Sequence, residues 1–310
     1  MDVFMRSVGF TRIGFFENVA NIKKEIAETP DKKVVLGYGT EGLFVELYKM
    51  YGNGIGILAR GIMDDYENIT IESCEAFAVA ETDLAVNKYV VELANNQPLI
   101  VFEDVGTGNE LVFALQNRID YIKDEQRFIN HGRSVLYSKD LGIVKRKVNY
   151  VAFSVYGSII LPVHKPSGGS FEDTEEVYEA APKSGSGTGI QNPFIRLAQN
   201  DEEALELLQS YADEVMKDIG DRLEDEDLLS VIEGFFLPMG EKETDYSVLG
   251  EIEAIEQLTN ERTKEKILRL SLNITGSKMQ LLINNRDLVG HPIPGMRFMG
   301  TCRLRGTVLI

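Results

Sequence analysis

Guanidinium groups bind carboxylates and phosphates, and three of them recur in the closing segment PGMRFMGTCRLRGTVLI, as Arg297, Arg303 and Arg305. Interleaved with that set are Phe298, Gly300, Cys302, Leu304, Gly306 and Val308, all small or apolar. Period two marks a half-buried strand, so the arginines share one side of it and the apolar set takes the other. A second polar cluster, Gln116, Asn117 and Arg118, follows the apolar run ELVFAL. Polar groups at a strand end either line a pocket or satisfy nearby backbone. His164, after the run SIILPV, marks a candidate domain junction. These seven are the candidate binding residues.

Other reactive side chains form no recognisable machinery. His131, His164 and His291 share no helical spacing with one another or with a cysteine, so no zinc pattern exists and no metal site is expected. KSGSGTG places Lys183 on the wrong side for a phosphate loop, and no strand precedes it. No G-x-S-x-G elbow is present. Cys74 and Cys302 lie far apart in apolar, strand-like segments and read as small buried hydrophobes in a reducing compartment. No cofactor is assigned, and whether the chain is an enzyme stays open.

The elements that must position these residues can be read along the chain. DVFMRSVGF and ENVANIKKEIAETPD have helical spacing, the second ending at Pro30. KKVVLGYG, GLFVELYKMYG, GIGILARGI and ITIESCEAFAVA read as an antiparallel meander. TDLAVNKYVVELANN fits a helix through Leu84, Val86, Tyr89, Val90 and Leu93. PLIVFEDVGTGNELVFALQNRIDYI reads as two strands around a Gly-rich turn. The expected fold class is α+β. Residues 1–165 form a domain with a mainly antiparallel sheet, 166–199 a Gly/Ser/Pro-rich loop or linker, and 200–240 a helical segment ending at Pro238. Residues 241–310 form a small β-barrel or β-sheet domain. A long first strand and glycines on the apolar side of the last strand suit an OB-type barrel.

Charge narrows the function classes. The 310 residues carry a formal charge of −17, which opposes nucleic acid and anionic membranes at long range. Residues 246–310 hold nine Lys or Arg against six Asp or Glu, and the rest hold 23 against 43. The three arginines therefore face solvent or the acidic body of their own molecule, with DEEALE and RLEDEDLL as the nearest candidates. Their strand side carries no aromatic stacking platform, which argues against nucleic acid. No stretch reaches the roughly 20 apolar residues of a membrane span, and no signal peptide opens the chain. The expectation is a cytoplasmic, non-catalytic binding or regulatory protein with a protein or small-molecule partner. The alternatives are an enzyme working in an interdomain cleft and nucleic-acid binding through the barrel. The oligomeric state is not fixed by the sequence.

The stretches FMRSVGF, ELVFALQNRIDY, GSIILPV, EDLLSVIEGFFLPMGEKETDYSVLGEI, NERTKEKI, and the segment from INNRDLVG to MRFMGTCRLRG carry a resemblance. In combination they resemble an uncharacterised bacterial family, found chiefly in clostridia and their relatives and known only as a domain of unknown function. The likeness runs nearly end to end. It departs at TCRLRG, where the resemblance implies an aromatic near Cys302 and fewer arginines. It implies a cytoplasmic bacterial protein and no activity, cofactor or catalytic residue.

Overall fold

In the computed structural model of the chain, the four short apolar runs pair as an antiparallel meander, β1 (Lys32–Gly37), β2 (Leu43–Met50), β3 (Ile55–Met63) and β4 (Ile69–Ala78). The structure describes residues 2–11, 19–37, 42–80, 83–85, 89–94, 97–103, 110–130, 147–162, 229, 232, 234–239 and 244–310. A 3₁₀ turn (Val3–Val8) and α1 (Val19–Glu28) precede the meander. Ile22 and Ile26, one helical turn apart, are the buried side of α1.

The segment expected as a helix is instead β5 (Asp83–Ala85) and β6 (Tyr89–Ala94). Its β-branched and aromatic residues suit a strand, and pairing with β7 (Gln97–Glu103) decides the matter. β8 (Glu110–Leu115) follows as expected, but the next apolar run is helical, α2 (Arg118–Asn130).

A long strand, β9 (Lys147–Ile160), is followed by β10 (Phe235–Pro238), β11 (Asp245–Thr259), β12 (Lys266–Ile274), β13 (Ser277–Asn284), β14 (Leu288–Val289) and β15 (Arg297–Val308). β10 takes the place of the expected helix end at Pro238, because Phe235–Pro238 pairs with Tyr246–Leu249. The expected 166–199 linker and nearly all of the helical segment lie outside the described residues.

Five strands close on themselves in the ring β9–β15–β11–β12–β13–β9. All pairs are antiparallel except β13–β9. In an OB barrel the first strand neighbours the second and fourth, and the third runs parallel to the fifth. β11, β12, β13, β15 and β9 fill those five places in turn, so the strand that an OB barrel takes last comes first in this chain. The barrel is thus drawn from both sides of residues 162–233, not from 241–310 alone. Met1–Leu161 and Gly234–Ile310 form one compact unit, and Pro162–Glu233 is a second. β15 pairs with β9 along its whole length, so the expected body and terminal module share one sheet.

Inside the barrel, Tyr150, Val248, Leu270, Leu281, Phe298 and Leu304 share one core. Small residues make this possible: a Cβ on Gly157 would stand 2.1 Å from the Phe298 ring, and one on Gly306 1.9 Å from the Phe113 ring. Outside it, a second core joins one face of the meander to α1, the 3₁₀ turn and the outward residues Val151, Phe153, Ile267 and Leu282. The other face of the meander packs Val34, Tyr48 and Leu58 on Ile119 of α2.

Candidate functional site

On β15 the inward residues Phe298, Cys302 and Leu304 are at most 1% exposed, which leaves Arg297, Met299, Thr301, Arg303 and Arg305 facing outward. Arg303 lies opposite Asp245 on β11 and opposite Phe153 on β9. It grips Asp245 with two parallel bonds, Nε to Oδ1 at 2.6 Å and a terminal nitrogen to Oδ2 at 2.9 Å. Its other terminal nitrogen reaches Asp2 at 3.2 and 3.3 Å, and its guanidinium stacks 4.3 Å from the Phe4 ring centroid. Arg305 reaches Asp2 at 3.5 Å and Glu75 of β4 at 3.2 Å.

Glu75 carries the network into the meander. The oxygen that receives Arg305 also receives Arg60 of β3 at 2.7 Å. Arg60 bonds Glu46 of β2 at 2.9 Å and donates to the Leu115 carbonyl at 2.8 Å. The amide of Ile119 donates to Glu46, and the Tyr48 hydroxyl donates to the Gln116 carbonyl at 2.8 Å. The result is a ladder of alternating charge, Glu46–Arg60–Glu75–Arg305–Asp2–Arg303–Asp245. Burial alone would raise the Glu75 carboxyl, but Arg305 and Arg60 outweigh it and hold it below the usual carboxylate range. Burial also opposes the Arg60 charge, and Glu75 and Glu46 reverse that effect.

A cavity of about 260 Å³ adjoins this ladder, lined by Asp2, Glu72, Ser73, Cys74, Glu75, Arg303 and Arg305. Cys74 is no nucleophile in waiting, because burial pushes its thiol up. Burial and then Asp245 do the same to Cys302. Both cysteines are free and buried, as small hydrophobes should be.

The other sequence candidates divide. The Gln116 amide bonds both backbone groups of Ala78, and Asn117 bonds both backbone groups of Val308, at 2.8 and 3.1 Å. Those two side chains tie β4 and β15 to the start of α2 and do not converge on the cavity. Arg118 opens α2; burial and then the nearby Arg60 lower its pKa. Arg297, 3% exposed, donates to the Leu161 carbonyl at 2.9 Å, far along β15 from the cavity. His164 lies outside the described residues. So do the acidic runs DEEALE and RLEDEDLL, apart from Leu229. The carboxylates that take Arg303 and Arg305 are Asp2, Glu75 and Asp245, residues that the sequence did not single out. One signal was available: Glu46 and Arg60 each interrupt an apolar strand run, and a charge so placed needs a partner.

The family-like stretches also meet. Asn260 donates to the Val8 carbonyl at 2.7 Å, Arg6 pairs with Asp287, and Asn284 donates to Glu265 at 2.6 Å. FMRSVGF, NERTKEKI and INNRDLVG thus build one junction between the 3₁₀ turn and the barrel. Among the described residues no cluster of three or more His, Cys, Asp or Glu is arranged to hold a metal ion, and no helix is long and apolar enough to cross a membrane. No curated protein and no solved structure matches the chain. Residues 5–306 match the family described as Domain of unknown function, E. rectale Gene description (DUF3881), and the chain belongs to that family.

Proposed function

We propose that this chain is a non-catalytic, cytoplasmic binding protein that engages another protein through the outer wall of its barrel. The observation that carries this reading is a set of three exposed apolar side chains, Tyr156, Leu237 and Val289, placed in register among half-buried residues and the buried Leu249. One row runs Tyr156–Thr301–Ser247–Leu237 across β9, β15, β11 and β10. The next runs Val289–Ser158–Met299–Leu249–Phe235. Tyr156, Leu237 and Val289 are each more than half exposed. Grouped apolar side chains on a rigid sheet suit a protein partner.

Two further facts support it. The charged side chains beside the cavity bind one another, which suits recognition better than proton transfer. The face by which OB barrels read nucleic acid, the second and third strands, corresponds here to β12–β13. Part of that face, through Ile267 and Leu282, is buried in the second core.

Site-specific photocrosslinking in living cells tests the proposal. A benzophenone side chain at position 156 or 237 should give a discrete adduct with one protein. The same group at Tyr66, 87% exposed on the β3–β4 turn, should not. Loss of the adduct on Val289→Asp, with unchanged thermal stability, would place it on the wall. Equal adducts from positions 156 and 66, or none from 156 and 237, would overturn the reading.

A further inference from the structure

The seven members of the charge ladder are not equally held. Asp245 receives Arg303 at 2.6 and 2.9 Å, and Glu75 receives Arg60 at 2.7 Å. Asp2 makes the longest set of contacts, 3.2 and 3.3 Å to Arg303 and 3.5 Å to Arg305. Its N–H donates to the Cys74 carbonyl at 3.4 Å, its carbonyl receives the Met5 N–H at 3.2 Å, and its carboxylate receives the Phe4 N–H at 3.3 Å. Bonds of that length are weak.

Removing Asp2 would strand no buried charge. Arg303 keeps Asp245 and Arg305 keeps Glu75. Glu75 also bridges two arginines that each keep another carboxylate, but its contacts are shorter, 2.7 Å to Arg60 and 3.2 Å to Arg305. Breaking a buried pair is costly when one partner is left uncompensated. Asp2 and Glu75 are the two carboxylates of the ladder for which both arginines hold a second partner, and Asp2 is the one held by the longer contacts.

We propose that the Arg303–Arg305 pair is an exchangeable anion site, and that Asp2 is its resident occupant. A compact carboxylate or phosphate group entering the cavity replaces the Asp2 carboxylate and frees the 3₁₀ turn from β15. The cavity of about 260 Å³ gives such a group room, and the Ser73 hydroxyl lines the same space. Glu75 is engaged by Arg60 and Arg305, so it does not compete for the arginine faces that Asp2 covers. This site is separate from the apolar wall, so the two proposals stand or fall independently.

Anion rescue tests it. Asp2→Ala in the full chain should melt below the wild type. Sodium acetate or inorganic phosphate should restore its melting temperature in a dose-dependent way beyond matched sodium chloride. A ligand at a hundred times its Kd raises the folded-to-unfolded ratio about a hundredfold. The triple variant Asp2→Ala, Arg303→Gln, Arg305→Gln should show no such gain. In the wild type, phosphate should shift the arginine Nε resonances assigned to Arg303 and Arg305 together with the Phe4 amide. A rescue no better than chloride, an equal rescue in the triple variant, or unmoved Arg303, Arg305 and Phe4 signals would each overturn the proposal. The wild-type spectra decide the question if the variants do not fold.

Discussion

The outer side of β15 has two halves that share one alternation and meet opposite surroundings. Arg303 and Arg305 lie under the 3₁₀ turn and β4, and each holds two carboxylates. Arg297, Met299 and Thr301 continue the same side toward Leu161, beside Tyr156 and Leu249. In the first half the arginines serve as internal ties. In the second, a buried guanidinium meets a backbone carbonyl and its neighbours form an apolar wall. Residue type and spacing are nearly constant along the strand, so the difference lies in what the rest of the chain brings against it. An arginine on a strand becomes a joint between segments where carboxylates arrive, and Arg297 is instead buried against backbone.

The comparison breaks most severely if the strand loses β9. A fragment of residues 234–310 keeps both halves of β15 but lacks the strand that covers one edge of it. It should remain unfolded by circular dichroism and by amide dispersion, and a folded fragment would show that the barrel does not need β9. The next largest effect belongs to the tied half. Glu75→Ala takes one of two carboxylates from each of Arg60 and Arg305 and should cost about 3 kcal/mol in denaturant unfolding. Arg297→Gln, in the other half, loses the bond to the Leu161 carbonyl and should cost less, about 1.5 kcal/mol. Leu237→Ser, on the exposed wall, should stay within about 0.5 kcal/mol. If Arg297→Gln proves as damaging as Glu75→Ala, the two halves are not different in kind.

Acid sharpens the same contrast. The Glu75 carboxyl has a folded pKa below its unfolded value of about 4.3. Its contribution to stability is therefore complete above that unfolded value and is lost as pH falls through the folded one. Wild type and Glu75→Gln should differ most near neutrality and converge in strong acid. A gap that stays constant down to strong acid would mean that charge on Glu75 is not what joins the halves.

Much of β15 was legible because a period of two survives any tertiary context. Phe298, Cys302 and Leu304 could be placed inward from spacing alone, and the meander 32–78 was equally plain. The segment 83–94 was not, because Leu84, Val86, Tyr89, Val90 and Leu93 satisfy a helical period nearly as well as an extended one. Only the pairing of β6 with β7 separates the two, and pairing is a property of another segment. Phe235–Pro238 was misread for the same reason, since its partner lies across a turn in β11. The ring of the barrel was half legible. Its OB-like character followed from a long strand, a hairpin and glycines near the end, whereas the contribution of β9 is a pairing between segments far apart in sequence.

The candidate site shows a similar division. That the terminal arginines face either solvent or the acidic remainder of the same molecule followed from the uneven charge balance, and Arg303 and Arg305 do meet carboxylates. Which carboxylates they are did not, because Asp2, Glu75 and Asp245 are single residues far apart in sequence, while dense acidic runs drew attention elsewhere. Gln116 and Asn117 stood out as amides at a strand end, suited either to a pocket or to nearby backbone. Their bonds to Ala78 and Val308 show them acting as fasteners between strands.

The early position of β9 has a consequence for synthesis. On the ribosome this strand emerges well before β11, β13 or β15, so its hydrogen-bonding edges wait while the intervening chain is made. An apolar strand in that condition is an invitation to pair with a neighbouring nascent chain. Slowing translation between β9 and β11 should therefore raise the aggregated share of newly made protein, whereas moving β9 to follow β15 through a short linker should lower it.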